Sequence, residues 1–304
     1  MGGLHNSITN AFGVQKVLRD KGNYINSDGT LLIRKTRDMQ ISARYQLCRH
    51  CSKAGYPWLE SYHLSRDGKP YVLHEGEYYV MTDLIKHPEA DFSSEDEFLR
   101  AVTALASFHK AARGLEIGDK IPPFTDELRI QGAKIDDIRK RIRKLKKLSD
   151  FDLMYVKNYS DFRDRIKRAS QLLESTGYLK REANAFKQGH ICHGALKENC
   201  LRVNGHDIYM CKFENSYRGY QLKDLAELVR RREKKVANVD IGLVCETYSQ
   251  VLPLDPEEEV ILGAMLLYPV AFVKICSEYY QKKRSWTPVS MANKMQEIIS
   301  GCGE

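Results

Sequence analysis

Cys192-His193-Gly194-Ala195, then Cys200-Leu201-Arg202-Val203, Asn204-Gly205, Asp207-Ile208-Tyr209-Met210-Cys211 and finally Lys212-Phe213-Glu214 form the stretch on which the fold reading turns. Two short apolar runs joined by Asn-Gly predict a β-hairpin, because both central residues of so tight a turn need positive φ. Helical patterns surround this hairpin, over residues 135–148, 162–173, 222–232 and 257–280. A further helix is predicted after Ser94-Glu95-Asp96-Glu97, which reads as a capping box. Phe98, Ala101, Val102, Leu105, Phe108 and Ala112 then share one face, and Gly114 is the stop.

Before residue 85 the character is different. Tyr24-Ile25 and Leu31-Leu32-Ile33 flank Asp28-Gly29, and residues 58–64 and 71–73 flank Asp67-Gly68. Glu75-Gly76 precedes Tyr78-Tyr79-Val80-Met81. The two Asp-Gly pairs between apolar runs read as hairpins. Between the first two, residues 40–54 carry Ile41, Tyr45 and Cys48 at helical spacing and end before Gly55 and Pro57. The expected architecture is α+β: a small antiparallel β-rich N-terminal lobe over residues 1–84, and a larger helical C-terminal lobe over residues 85–304 that contains the hairpin.

This order of features is similar to the protein-kinase-like fold of aminoglycoside and choline phosphotransferases, and within that group it most resembles the CotS family of spore coat proteins. Tyr78-Tyr79-Val80-Met81-Thr82-Asp83 at the lobe junction, Cys192-His193-Gly194, Asp224-Leu225-Ala226 with Arg230-Arg231, Tyr268-Pro269-Val270-Ala271-Phe272 and Tyr279-Tyr280 carry the resemblance.

The resemblance implies a catalytic Asp after His-Gly, an Asn five residues later, a metal-binding Asp after the hairpin and a strand Lys paired with a helix Glu. Those positions hold Ala195, Cys200, Lys212 and Arg34, and residues 36–59 contain no Glu. Asn199 stands one place early, Lys35 adjoins Arg34, and Gly13 and Gly22 do not compose a glycine-rich loop. A positioned base alone is worth roughly 10² to 10⁴ in rate, so ordinary kinase chemistry is not expected. No catalytic residue and no metal site is assigned. Arg34, Lys35, Asp83, His193, Asn199 and Glu214 are the remaining cleft candidates, and the resemblance implies that Asp224 anchors the catalytic-loop backbone.

Composition bounds the rest. The chain has 304 residues, 42% hydrophobic and 29% charged, which is ordinary for one large or two smaller globular units. Its longest nearly apolar run, residues 260–273, contains Pro269 and falls short of the roughly 20 residues that span a bilayer, so no membrane insertion is expected. The start, Met1-Gly2-Gly3-Leu4-His5, has no basic stretch ahead of an apolar one, so no export signal is expected. Eight scattered cysteines argue for reduced thiols. Cys48-Arg49-His50-Cys51 lacks a second ligand pair, and His190, Cys192 and His193 are too compressed for zinc.

The charge of +8 is concentrated in residues 139–147 and 230–235. Ile135, Ile138, Ile142 and Leu145 run through the first segment at helical spacing, which favours a solvated helix face over a nucleic-acid site. The leading expectation is a non-catalytic, pseudokinase-like assembly protein that needs no cofactor. It would be made in the mother-cell cytoplasm and deposited on the spore coat among other coat proteins. Residues 139–147 and the aromatics Tyr279, Tyr280 and Trp286 are its candidate docking positions. The alternative is a divergent phosphotransferase using ATP and magnesium, with Glu214 or Asn199 on the metal and His193 as base.

Overall fold

A computed structural model describes residues 2–20, 23–37, 40–281 and 287–301; Gly22, Trp286 and Cys302 lie outside them. The N-terminal region is an antiparallel sheet. Helix α1 (Gly2–Phe12) leads into β1 (Val17–Asp20), β2 (Asn23–Asn26) and β3 (Leu31–Thr36). Helix α2 (Ile41–Lys53), β4 (Tyr62–His63), β5 (Val72–His74) and β6 (Glu77–Asp83) follow. Strand β3 lies along one edge of β6, while β4 and β5 divide its other edge, at Thr82 and Met81 and at residues 77–79 respectively.

The hairpin expected at Asp28-Gly29 forms, and β5 and β6 make another across Glu75-Gly76. The one expected at Asp67-Gly68 does not. There the chain closes only a turn, through Ser65 N to Lys69 O at 2.7 Å, and each flanking strand finds its partner in β6 instead. Helix α1 and strand β1 went unpredicted. Ile8, Phe12 and Val17 nevertheless bury themselves with Ile33, Tyr79 and Met81 as a small core on one face of the sheet.

Strand alternation then divides the candidates between two environments. Ile33 and Lys35 point to the α1 face, and Arg34 to the other, where Val80 joins the main core.

The C-terminal region is helical. Helices α3 (Glu95–Ala111), α4 (Phe124–Ile142), α5 (Asp150–Ser175) and α6 (Tyr178–Lys187) precede β7 (Ile191–Cys192). The hairpin β8 (Leu201–Asn204) and β9 (Asp207–Met210) follows, and then β10 (Tyr217–Arg218), which pairs with β7. Helices α7 (Leu222–Glu233), α8 (Ile241–Ser249), α9 (Pro256–Leu267), α10 (Val270–Tyr280) and α11 (Pro288–Ile299) complete it.

Ser94 caps α3, accepting from Glu97 N at 3.4 Å, but the Glu97 carboxylate accepts from Asp91 N rather than closing the box. Full capping boxes instead start α5, from Ser149 and Asp152, and α9, from Asp255 and Glu258. Residues 256–280 are long and apolar enough to pass as a membrane span. The backbone divides them into two helices at Tyr268-Pro269, because proline has no N–H to continue the ladder. Ile261, Leu262, Met265, Phe272 and Ile275 are buried in the core.

Two surface expectations are corrected. Helix α4 ends at Ile142, so Ile135, Ile138 and Ile142 are buried but Leu145 lies past the helix and is half exposed. Tyr279 and Tyr280 are not exposed aromatics. Tyr279 stacks on Phe151 at 3.9 Å, and the Tyr280 hydroxyl donates to Asp152 at 2.6 Å, so the last turn of α10 locks onto the α5 cap.

Candidate functional site

The loop after β7 is built on one carboxylate. Asp224, in the first turn of α7 and almost fully buried, accepts from His193 N at 2.5 Å, Gly194 N at 2.9 Å and His109 Nε2 at 3.1 Å. Burial alone would push its carboxyl up, but the bond from His109 and the nearby His193 and Gly194 hold it below the ordinary carboxylate value.

Burial likewise keeps His109 below the ordinary histidine value, against the pull of Asp224. The ring is therefore neutral near pH 7. Since a carboxylate only accepts, Nε2 carries the proton and Nδ1 accepts from the Tyr248 hydroxyl at 2.7 Å. Gln221 completes the support by donating to the carbonyls of His109 and Ile191.

Gly194 cannot be replaced without moving this loop. Its φ is +82°, and a Cβ would lie 2.1 Å from Asn215 O.

His193 is fully buried, donates through Nε2 to Cys211 O at 3.0 Å and packs on Phe213. Burial also lowers its pKa, with Asp224 opposing. Its Nδ1 has no hydrogen-bond partner among the described residues and faces no solvent. Ala195 is half-buried beside Lys223, Glu227 and Arg230. Cys200 is buried, with its thiol on Ala195 O at 3.5 Å. Asn199 opens to another side of the loop, with Glu198, Asp91 and Lys235.

A second cluster joins the sheet to the segment after the hairpin. Arg34 Nη1 lies 2.5 Å from Glu214 Oε1, and Nη2 lies 3.5 Å from Glu60 Oε2. The Tyr62 hydroxyl donates to Glu60 at 2.9 Å, and Arg44 on the buried face of α2 donates to Glu214 O at 3.2 Å. Burial works against the Arg34 charge, yet Glu60 and then Glu214 outweigh it and raise its pKa. Glu214 is correspondingly lowered, because Arg34 outweighs its burial. Glu60, almost wholly buried, is raised by desolvation despite Arg34.

Residues 36–59 do lack Glu, and the partners come from just beyond them and from 180 residues away. Neither Glu60 nor Arg44 carries a local signal that sequence reasoning could use. Lys35 and Asp83 lie on the α1 face of the sheet, away from this cluster. Lys35 pairs with Glu77 at 2.8 Å and Asp83 with His63 at 2.7 Å.

Lys212 adjoins the cluster in a left-handed conformation, with φ of +67°, and its ammonium makes no ion pair among the described residues. No three His, Cys, Asp or Glu side chains group there, or elsewhere among the described residues, as a divalent ion requires. Cys48 and Cys51 are buried thiols, both with pKa values pushed up by desolvation.

Of the basic segments, residues 230–235 are largely used internally. Arg232 is buried and donates to Phe92 O, Arg230 donates to Met265 O, and Arg231 pairs with Glu227 at 2.6 Å. In residues 139–147, Arg139 covers the Tyr159 ring at 4.1 Å and the other cations are exposed.

Arg34→Ala is expected to cost about 1–3 kcal/mol in urea unfolding, because it strands the Glu60 carboxylate. Arg34→Lys should recover less than half of that, since an ammonium cannot fork between two carboxylates. An alanine variant as stable as wild type would show that the cluster contributes nothing net.

Comparison with known proteins gives a consistent frame. The family model described as "Spore coat putative kinase YutH" matches residues 15–304. An aminoglycoside phosphotransferase from Alicyclobacillus acidocaldarius superposes with a TM-score of 0.85 at 17% identity, covering 97% of this chain and 91% of that one. The AMP-bound spectinomycin phosphotransferase gives a TM-score of 0.61 at 12% identity, covering 98% and 96%. Choline kinase LicA from Streptococcus pneumoniae gives 0.51 at 13%, covering 98% of each chain. Among curated proteins there is no match. At these identities the likeness shows the fold, which is the two-part, kinase-like one expected from the sequence.

Proposed function

The chain belongs to the spore coat putative kinase YutH family, and from that premise we propose that it serves the bacterial spore coat as a kinase-fold assembly protein without phosphoryl-transfer chemistry. One observation carries this reading. The place that family resemblance gives to a metal-binding Asp is occupied by the cation Lys212, and the two carboxylates beside it, Glu214 and Glu60, are both engaged by Arg34, at 2.5 and 3.5 Å. Magnesium needs several oxygen ligands, and here Arg34 already stands between the two carboxylates with Lys212 as a second cation beside them. The residues therefore do not fit a magnesium nucleotide, and no step is derived through one.

Ala195 offers no base and His193 is sealed in the core, so neither of these two positions accepts a hydroxyl proton. What remains is the scaffold: Asp224, His109 and Gln221 preserve the shape of the loop around a site without its reactive groups. On this reading the protein is made in the mother-cell cytoplasm, reaches the coat without crossing a membrane, and acts through contacts with other coat proteins rather than with nucleic acid.

The test is a titration of ATP into the purified protein, with and without magnesium, followed by Tm and by phosphate release. Magnesium is expected to add nothing to any nucleotide effect, and turnover is expected to equal that of a heat-killed control. Magnesium-dependent turnover lost on Glu214→Gln would establish the divergent phosphotransferase instead. In sporulating cells a fluorescent fusion should form a shell around the developing spore, without Ala195→Asp, Cys200→Asn or Lys212→Asp being needed.

A further inference from the structure

The two basic runs of this chain have different fates. Arg230, Arg231 and Arg232 are spent inside the molecule, on Met265 O, Glu227 and Phe92 O. Residues 139–147 are not. Helix α4 uses only the start of this run, where Arg139 covers Tyr159 and Lys140 pairs with Asp137 at 3.1 Å. Beyond Ile142 the chain is a turn, so a solvated helix face does not describe Arg143, Lys144, Lys146 and Lys147. These four and Arg141 are exposed and form no ion pair among the described residues. Nor does the negative end of α4 call for them, because that effect fades within the last turn, which already holds Arg139, Lys140 and Arg141.

The turn is held at both ends. The N–H groups of Arg143, Lys144 and Leu145 donate back to the last carbonyls of α4, at 3.2, 3.0 and 2.9 Å. Ile142 is buried, Leu148 packs on the core, and the capping box of Ser149 and Asp152 starts α5 directly afterwards. Between these anchors the five consecutive side chains 143–147 are exposed. Nearby carboxylates do not offset them. Asp136 holds Arg163, Asp137 holds Lys140, and Asp152 accepts from Ser149 and Tyr280. That leaves Asp150 as the one uncommitted carboxylate between residues 136 and 152, against five cations. Neighbouring Cα atoms lie about 3.8 Å apart, well inside a screening length of about 8 Å at physiological salt, so the five act as one patch.

Leu145 selects the kind of anion. It stands in the middle of the turn and is 50% exposed. A purely polar polyanion offers that side chain nothing, and residues 139–147 contain no aromatic ring on which a nucleic-acid base could stack. The headgroup layer of a bilayer takes both kinds of group, since its phosphates attract the cations and its acyl boundary admits a leucine. We infer that the turn between α4 and α5 docks on an anionic lipid surface, with Arg143, Lys144, Lys146 and Lys147 among the headgroups and Leu145 at the acyl boundary. The protein then lies on the bilayer without a spanning segment. The inference goes beyond the assembly reading and does not depend on the state of the cleft.

The test is flotation of the purified full chain with vesicles of phosphatidylcholine alone, and of phosphatidylcholine with about a third phosphatidylglycerol. Binding should require the anionic lipid and weaken as salt rises. Arg143→Glu, Lys144→Glu, Lys146→Glu and Lys147→Glu combined should weaken it by about tenfold or more. The same change of net charge placed at other exposed positions, as Lys110→Glu, Lys167→Glu, Lys180→Glu and Lys187→Glu, should weaken it by less than about threefold. Leu145→Gln should weaken vesicle binding by about threefold or more, yet leave retention on heparin, a polyanion without an apolar layer, unchanged. Circular dichroism and Tm establish that each variant is folded.

Binding to neither vesicle, equal binding to both, or equal loss from the two charge-reversed variants would overturn the proposal. So would vesicle binding indifferent to Leu145→Gln, which would give the turn to an acidic protein or a nucleic acid. None of these outcomes bears on the ATP titration, so failure here and failure of the non-catalytic reading are separable.

Discussion

Asp224→Ala is expected to cost about 3–5 kcal/mol and to lower Tm by roughly 5–8 °C, because one truncation strands two buried donors and a third that is part-buried. The N–H groups of His193 and Gly194 and the His109 ring each lose their acceptor, and of these the His193 and His109 donors are fully buried. Asp224→Asn keeps the volume but presents an amide N–H₂ to donors, so it should recover only part of the loss. Urea unfolding of the three proteins measures it. A loss under about 1 kcal/mol for the alanine variant would mean that the loop is held by other contacts.

Acid should destabilise the fold well before ordinary carboxylates titrate. His109 and His193 are fully buried and held below the ordinary value of 6.5, first by desolvation. Below pH 6.5 the unfolded chain binds protons that the folded chain refuses, so stability falls as pH falls. Each ring contributes up to about 1.4 kcal/mol per pH unit.

His190, lowered to about 4 by burial and then by Arg113, acts in the same direction. Asp224 adds its part later. Its carboxyl is depressed below 3.8, so its contribution persists above that value and is lost only as pH drops through the folded value. Unfolding at pH 7.5, 6.5 and 5 should show the slope, and His109→Gln should remove about a third of it. A flat profile above pH 5 would show that both rings are protonated in the folded protein.

Local signals carried far in this chain. The β8–β9 hairpin was legible from Asn204-Gly205, and α2 from the spacing of Ile41 and Cys48 before Gly55, since turn chemistry and helical periodicity are properties of a few neighbouring residues. Strand β4 shows where that logic stops. The Asp67-Gly68 turn forms, but pairing is decided by β6, which offers hydrogen-bonding groups along its whole free edge.

The site divides in the same way. Ala195, Cys200 and Lys212 could be read as substitutions at positions implied by resemblance. The Arg34 cluster could not, because Glu60 and Glu214 become its partners only after the sheet has docked. Which of Arg34 and Lys35 enters the cleft was likewise settled by strand register, a property of β3 and β6 together.

The reach of that ion pair has a consequence during synthesis. Arg34 and Glu60 leave the ribosome early, but Glu214 follows Arg34 by 180 residues, which at about 5–20 residues per second is a delay of roughly 10–35 s. Tyr56 must likewise wait to donate to Ile208 O, and Leu59 to pair with Met210. Throughout that interval the nascent sheet carries a carboxylate destined for the interior and an arginine without its closest counter-ion. The N-terminal segment therefore emerges as an unfinished half, completed only once the chain has been made past residue 214.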